Sequence, residues 1–493
     1  MKYYYERIAA AVTIILMAVT GGSFSVAEQP IEVGCLKQLF IDEMYFAESN
    51  GVTLKVLPPH KTGEAVLKSE QPWESATINW FSVLQDQGRI DTAANYRMWY
   101  EAYDVEGWPT GDDTSFCYAE SRDGVNWTKP DLGLFTYGDH ARNNILFRQI
   151  GFAAEGSMSR VHGTGVFIDS AGSADARYKA VSQGIYENLG KPPHRIAGMY
   201  SADGLNWIRY PQPICNLFAD SQYSGFWDNS IQRYVIYGRG NSQICRSESA
   251  EFSDFKPLTP VLNSNDQDPE NSSLYNSAVI KYPFAENIYF MFPSLFQRIR
   301  GTLDIRLAVS RDGVHWSRPD QSVPWIALGE SGAFDSGSLY MGQGIVHKGE
   351  EISMYYSGSP LLHEEVNLEK LADRKNARTF SRVVTRLDRF VAATATSDGG
   401  NFETPPLRFS GNKLKLNAKV NHGGSLRVGL YDEQNKPIPG RSVEDCFPIV
   451  GDSLSIPIQW KNGSDVGFRE TLSTQLYIEM INTELFSFQF VAE

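Results

Sequence analysis

Short stretches rich in apolar and aromatic residues recur along the chain and alternate with polar residues, a period that predicts β-strands. Five such stretches are Tyr96–Tyr100, Arg177–Val181, Arg233–Tyr237, Ile288–Phe292 and Ile352–Tyr356. Each follows another apolar stretch across a polar turn. The pattern predicts five successive strand–turn–strand–turn–strand units and no long amphipathic helix.

A turn phrase of the form Ser-x-Asp-Gly-x-x-Trp follows three of these strand pairs. Its copies are Ser121–Trp127, Ser201–Trp207 and Ser310–Trp316. Asp accepts hydrogen bonds from nearby backbone amides, Gly tolerates positive φ, and the Trp ring can fold back over the turn. A repeated turn with matched flanking strands indicates a repeated supersecondary unit.

Five such units in series predict an all-β fold, a five-bladed β-propeller, because radial repetition protects the edges of the sheets. A β-sandwich with coincidental Asp-Gly turns is the alternative. We expect the blades over residues 71–395. Regular alternation over residues 403–493 predicts a small C-terminal antiparallel β-sandwich. Residues 28–70 are expected to pack on the propeller or to help close its ring.

Composition and termini narrow the possible functions. The 493-residue chain has a net charge of −13 and no basic patch, which makes nucleic acid an unexpected partner. Residues 1–27 resemble an export signal, with a basic start, a short apolar run and a small-x-small cleavage site. We therefore expect a secreted or periplasmic protein without a membrane span after signal removal; a membrane anchor is the alternative. Five cysteines without metal spacing indicate neither a disulfide framework nor a metal centre.

Side chains just before the innermost strands converge on the channel of a propeller. Three carboxylates at such positions are candidate catalytic groups: Glu74, Asp220 and Asp335. Paired carboxylates are what glycosidic cleavage requires, one as proton donor and one as base or nucleophile. Candidate substrate-binding residues nearby are Trp73, His162, Gln222, Asp268, Glu270 and Tyr275. For the acidic segment 265–271, a cation site and an exposed loop remain open. No cofactor and no metal are expected.

The chain resembles the five-bladed propeller glycoside hydrolases, the furanosidase-type superfamily that contains arabinanases, xylosidases and invertases. It is similar above all to exported bacterial glycosidase-like propellers that end in a β-sandwich. The resemblance is carried by five phrases: Gln38–Glu43, Pro72–Glu74, Ala119–Gly124, Phe334–Gly337 and Glu444–Cys446. It implies a carbohydrate substrate, with Glu74 as base or nucleophile and Asp220 and Asp335 in the other acidic roles.

Three alternative functions are compatible with the same residues. A non-catalytic carbohydrate-binding propeller would keep the aromatic side chains without needing the carboxylates. A phosphorylase would release product only with inorganic phosphate. The turns are also similar to those of sialidases, which need three arginines and a tyrosine nucleophile, normally on six blades. Arg160, Arg239 and Arg298 are the arginines available for that arrangement.

Overall fold

A computed structural model describes residues 29–86, 95–105, 114–148, 150–151, 158–159, 161–190, 194–217, 219–363, 378–467 and 473–492. These residues are almost all strands and turns. The short 3-10 helices are Glu43–Tyr45, Pro72–Glu74, Ala174–Ala176 and Glu187–Leu189. Within the described ranges, no helix has the length and apolar character needed to cross a membrane.

The first four blades are separate antiparallel sheets; blades 1 to 3 are built from consecutive strands, and two strands of another sheet interrupt blade 4 along the chain. Blade 1 consists of Thr77–Gln85, Tyr96–Tyr103, Ser115–Ser121, Trp127–Thr128 and Ile145–Phe147. Blade 2 consists of Gly165–Ile168, Tyr178–Ile185, His194–Ser201 and Ile208–Arg209. Blade 3 consists of Ser224–Asp228, Arg233–Gly240, Gln243–Ser249 and Thr259–Leu262. Blade 4 consists of Val279–Lys281, Tyr289–Met291, Ala308–Ser310 and Trp316–Ser317. Ile150–Gly151 and Met158–Ser159 form a separate two-stranded sheet.

The fifth set of blade strands belongs to a larger, eight-stranded sheet. Blade 5 consists of Ser338–Met341, Val346–Lys348, Glu351–Ser359, Thr379–Arg386 and His60–Lys68. The remaining strands of this sheet extend blade 4: Ser272–Leu274, Ser294–Gln297 and Thr302–Ile305. The outer strand of blade 5, His60–Lys68, comes from the N-terminal part of the chain and pairs antiparallel with Thr379–Arg386.

Contacts between neighbouring innermost strands close the ring. The Ser82 hydroxyl of blade 1 accepts from the Val166 amide of blade 2 at 2.9 Å, and Ser224 of blade 3 does the same for Val279 of blade 4. Blade 5 meets blade 1 where the Val83 amide donates to the Gln343 carbonyl at 2.8 Å. The predicted propeller is confirmed, with four blades as separate sheets and the fifth joined to the extension of blade 4.

The three Asp-Gly turns share one hydrogen-bond geometry. In each copy, the Ser hydroxyl accepts from the Gly amide at 2.9 Å and the Asp carboxylate accepts from two later amides. Each Gly has φ between 71° and 75°, as the sequence predicts. The Gly carbonyl also accepts a hydrogen bond from the preceding blade, from Trp99, Tyr237 or Tyr355. The turns therefore fasten neighbouring blades together.

The C-terminal sheet completes the predicted sandwich. Its eight strands are Gln38–Leu39, Glu48–Asn50, Val52–Val56, Val391–Ala395, Gly400–Glu403, Lys413–Tyr431, Gly451–Pro457 and Gln475–Val491. Ile31–Gly34 pairs in parallel with Leu407–Phe409 beside it. The N-terminal segment thus contributes strands to the sandwich as well as to blade 5. Val391–Ala395, which lies inside the range expected for the blades, also belongs to the C-terminal sheet.

Candidate active site

Two glutamine side chains cross the propeller axis and block the central channel. Gln222 Nε2 of blade 3 donates to the Phe81 carbonyl of blade 1 at 2.8 Å and to the Thr164 carbonyl of blade 2 at 3.1 Å. Gln343 Nε2 of blade 5 donates to the Tyr223 carbonyl of blade 3. These bonds divide the channel into an upper funnel, where the innermost strands begin, and a lower cavity, where they end.

The lower cavity has a volume of about 1110 Å³ and lies between the propeller and the sandwich, where Leu36 and Gln489 contribute to its wall. Its lysines are paired elsewhere: Lys281 with Asp228 and Lys37 with Asp388. The cluster of titratable groups suited to catalysis lies in the upper funnel instead. We therefore place the candidate active site in the funnel rather than in the lower cavity.

A chain of hydrogen bonds reaches Asp220 from the interior of blade 1. Glu101, fully buried on the second strand, accepts from the Thr164 amide at 2.8 Å and from the Tyr103 hydroxyl at 2.7 Å. His162 Nδ1 lies 3.1 Å from that hydroxyl, and His162 Nε2 lies 3.1 Å from Asp220 Oδ1. Asp220 itself is half exposed, with 51 % of its side chain accessible. The chain thus ends at a carboxyl that a substrate can reach.

The hydrogen-bond roles along this chain depend on the tautomer of His162. When the Tyr103 proton goes to Glu101, His162 Nδ1 donates to the Tyr103 oxygen. A neutral His162 then has a bare Nε2, which needs a proton from Asp220 to make the observed contact. Alternatively His162 carries both ring protons and donates to the carboxylate. In either case the His162–Asp220 pair holds one transferable proton.

Aromatic rings form one wall of the funnel. Trp80 packs on Tyr340 with ring centroids 4.7 Å apart and stands edge-on to His162 at 6.2 Å. Tyr275 lies 5.6 Å from Tyr340. Trp80 has φ of 34° and sits at a bulge in the first strand of blade 1, which turns its side chain out of the regular alternation. Backbone strain of this kind clusters at functional sites.

Arginine side chains line the same wall. The Arg239 guanidinium lies 4.1 Å from the centre of the Tyr275 ring, and Arg378 lies 4.5 Å from the centre of Tyr340. His363 Nδ1 is 2.8 Å from the Tyr340 hydroxyl. Burial, followed by the positive charges of Arg378 and Arg239, lowers the pKa of His363 to about 4. Burial and then the Asp220 carboxylate raise the pKa of Tyr275.

Of the residues expected at the site, His162, Asp220 and Tyr275 come together in the funnel, and Gln222 forms its floor. Glu74 does not reach the funnel. Its buried carboxylate accepts from the amides of Glu70 and Gln71 and from the Tyr100 hydroxyl, and it pairs with Lys129 at 2.7 Å. This set of partners is that of a helix-capping and ion-paired structural group.

Asp335 occupies a comparable position in blade 5. Its buried carboxylate accepts from the Tyr356 hydroxyl at 2.8 Å and pairs with Lys61 of the outer strand. The pair ties the N-terminal strand to blade 5, away from Asp220. The structure therefore does not assemble Glu74, Asp220 and Asp335 into one cavity.

The other expected binding residues also lie outside the funnel wall. Trp73 is buried and donates from its indole nitrogen to Asn144 at 3.1 Å. Asp268 forms a two-pronged pair with Arg318 at 2.7 Å, and Glu270 is exposed on the same loop. Arg160, considered for a sialidase-like arrangement, lies outside the described residues. No group of three metal-ligating side chains occurs within the described ranges.

Sequence reasoning missed Glu101, Tyr103, Arg378 and His363. Glu101 and Tyr103 are two positions apart on one strand, so their side chains share a face of the sheet. This spacing could have indicated that the two side chains act together. His363 follows the strand Glu351–Ser359 and Arg378 precedes the strand Thr379–Arg386, and nothing in their local sequence distinguishes them from surface residues. Their roles become visible only once the ring is closed.

No protein-family model and no curated protein matches the sequence. Similar solved structures include a glycoside hydrolase with 13% identity and a TM-score of 0.44, covering 67% of this chain and 92% of that one. A thermostable family-43 glycoside hydrolase has 14% identity and a TM-score of 0.42, covering 68% and 96%. An N-acetylgalactosamine deacetylase from F. plautii, in complex with blood group B trisaccharide, has 14% identity and a TM-score of 0.44, covering 68% and 96%.

Proposed function

We propose that the protein cleaves a glycosidic bond in the upper funnel and that Asp220 donates the proton to the leaving oxygen. The observation that carries this proposal is the hydrogen-bonded chain from Glu101 through Tyr103 and His162 to the half-exposed Asp220. Departure of a sugar oxygen requires a proton donor within hydrogen-bond reach, and positioned acids of this kind accelerate cleavage by about 10²–10⁴-fold.

The proton transfer leaves a charge pattern that the site can hold. As the bond between the anomeric carbon and the leaving oxygen breaks, the proton passes from the His162–Asp220 pair to that oxygen. The pair then consists of a neutral imidazole and a carboxylate, and the carboxylate faces a sugar ring that gains positive charge. Water then attacks the anomeric carbon, and the proton that this water loses restores the protonated His162–Asp220 pair. Inorganic phosphate in the position of the water would make the enzyme a phosphorylase.

The aromatic wall is suited to holding the sugar. Trp80, Tyr275 and Tyr340 form a packed aromatic cluster next to the acid, with 5 %, 9 % and 3 % of these residues exposed. Apolar faces of a sugar ring pack against such surfaces while its hydroxyl groups reach polar side chains. We propose a carbohydrate as the partner and, from the signal-like residues 1–27, export from the cell. Sequencing the N-terminus of the protein recovered outside producing cells tests the export.

Substitution of Asp220 tests the proposed chemistry. We expect Asp220→Asn to lower sugar release from a glycan panel by about 10²–10⁴-fold while leaving the protein folded, because the amide cannot supply the proton. Glu74→Gln is the matched control: it removes a buried ion pair, so it should lower stability by about 3–5 kcal/mol without changing the turnover of folded protein.

Other outcomes separate the alternatives. Glycan binding without release by the wild type would favour a non-catalytic binding propeller. Release that requires inorganic phosphate would favour a phosphorylase. Full activity in Asp220→Asn, or a loss of turnover by folded Glu74→Gln as large as that of Asp220→Asn, would contradict the proposed role of Asp220.

A further inference from the structure

Three arginines of the funnel surround His363 without a carboxylate partner among the described residues. Arg239 and Arg378 lie over the faces of Tyr275 and Tyr340. Arg298 lies 5.1 Å from the centre of the Phe296 ring, and Phe296 in turn packs on His363 at 4.6 Å. The positive charges of Arg378, Arg239 and Arg298 lower the pKa of His363, and the Asp220 carboxylate raises it.

Arg378 is the most unusual of the three. It is 2 % exposed, and its guanidinium donates to the hydroxyls of Ser357 at 3.5 Å and Ser338 at 3.2 Å. A buried cation without a counter-charge is costly, and proteins normally pair such a group. Two other buried cations are paired in this way: Arg318 with Asp268 and Lys179 with Asp169.

We propose that Arg239, Arg298 and Arg378 form a subsite for the carboxylate of an acidic sugar. The inference rests on the proposed function of the same funnel, because it names the class of sugar that the funnel receives. A planar guanidinium binds a carboxylate through two parallel hydrogen bonds, which gives geometric selectivity as well as attraction.

The position of the arginines favours an anion attached to a ring over a free inorganic anion. Arg239 and Arg378 each contact an aromatic ring of the wall on which a sugar would pack. A sugar ring against Tyr275 or Tyr340 would therefore bring an attached carboxylate beside the guanidinium groups. The funnel is cationic here although the whole chain carries a net charge of −13. The positive charge is thus local to the site rather than a general property of the surface.

Binding of monosaccharides tests this subsite independently of catalysis, because a monosaccharide has no glycosidic bond to cleave. We expect titration calorimetry on the full chain to show that D-glucuronate and D-galacturonate bind at least about 10-fold more tightly than D-glucose and D-galactose. Arg378→Met should abolish the preference for the acidic sugars. Arg239→Met, at a half-buried position, provides a second variant if Arg378→Met does not fold. Arg142→Met, at a highly exposed arginine, is the control and should keep the preference.

Two results would overturn the proposal. One is equal binding of acidic and neutral sugars by the folded wild type. The other is inorganic phosphate or sulfate binding to these arginines more tightly than either uronate, which would identify a free oxyanion as the ligand. Preference for uronates without any glycosidic cleavage would support the subsite while contradicting the proposed catalytic function.

Discussion

At the scale of single residues, burial separates structural from reactive ionisable groups. Glu74 and Asp335 are buried, and each is paired with a lysine and a tyrosine. Asp220 is half exposed and contacts His162. A buried carboxyl that is paired with a lysine cannot reach a substrate, whereas a half-exposed carboxyl at the end of a hydrogen-bonded chain can. This difference assigns the acid role to Asp220.

The lowered pKa of His363 predicts how the stability of the protein depends on pH. Its pKa is about 4 in the folded protein, against 6.5 for an ordinary histidine, so the unfolded chain takes up a proton first as the pH falls. The contribution of His363 to the free energy of unfolding is therefore fully present above about pH 6.5 and decreases toward pH 4. Between pH 7 and pH 5 the loss from this group amounts to about 2 kcal/mol. Urea unfolding at the two pH values measures it.

The matched variant for this measurement is His363→Gln, which cannot titrate. It should lose about 2 kcal/mol less than the wild type between pH 7 and pH 5. His422→Gln, at an exposed histidine, should behave like the wild type. Equal pH dependence of the wild type and His363→Gln would show that His363 is not held neutral by burial and the neighbouring arginines.

At the scale of elements, each Asp-Gly turn connects two strands of its own blade and also fastens that blade to the preceding one. The turn of blade 2 shows both functions. Its Gly204 has φ of 75°, and the Gly204 carbonyl accepts from the Trp99 indole of blade 1 at 2.7 Å. The Asp203 carbonyl accepts from Arg97 at 2.7 Å. A change in this turn therefore affects both the local backbone and the packing between blades.

Substitution of glycine in this turn separates those two effects. A Cβ on Gly204 would lie 2.8 Å from both Arg97 Nη1 and the Trp99 ring, and neither buried side chain has room to move. We expect Gly204→Ala to destabilise the fold by about 2–4 kcal/mol. Gly133 also has positive φ, 61°, but no atom lies within 4 Å of its Cβ position. Gly133→Ala should cost about 1 kcal/mol. Equal losses in denaturant unfolding would show that the blade contact adds nothing.

The same elements show what the sequence could predict. The turns and strand pairs depend on local chemistry, which is why their positions and the number of repeats were predictable. The direction of a side chain before an innermost strand depends on how the blades close around the axis. Glu74, Asp220 and Asp335 look alike in sequence, yet one faces the funnel and two face into their blades. Trp80 reaches the funnel through a bulge that alternation does not predict.

At the scale of the whole molecule, the N-terminal segment joins the two parts of the fold. Val52–Val56 pairs with Val391–Ala395 in the C-terminal sheet, and His60–Lys68 pairs with blade 5. Between the parts, Phe390 stacks on Phe290 of blade 4 with ring centroids 4.3 Å apart. The Tyr282 hydroxyl donates to Asp388 at 2.8 Å. The propeller and the sandwich are therefore joined by one N-terminal segment with strands in each part, and by an apolar core between them.

Because the N-terminal segment pairs with both parts, we expect the propeller and the sandwich to unfold together. Losing either part removes the partners of the N-terminal segment, so neither part keeps a complete sheet when the other unfolds. We expect one calorimetric transition for the wild type, with equal calorimetric and van't Hoff enthalpies. Phe390→Ala, at a fully buried position of the shared core, should lower stability by about 3–5 kcal/mol while the transition stays single. Two resolved transitions, in the wild type or in this variant, would show that the parts are independent folding units.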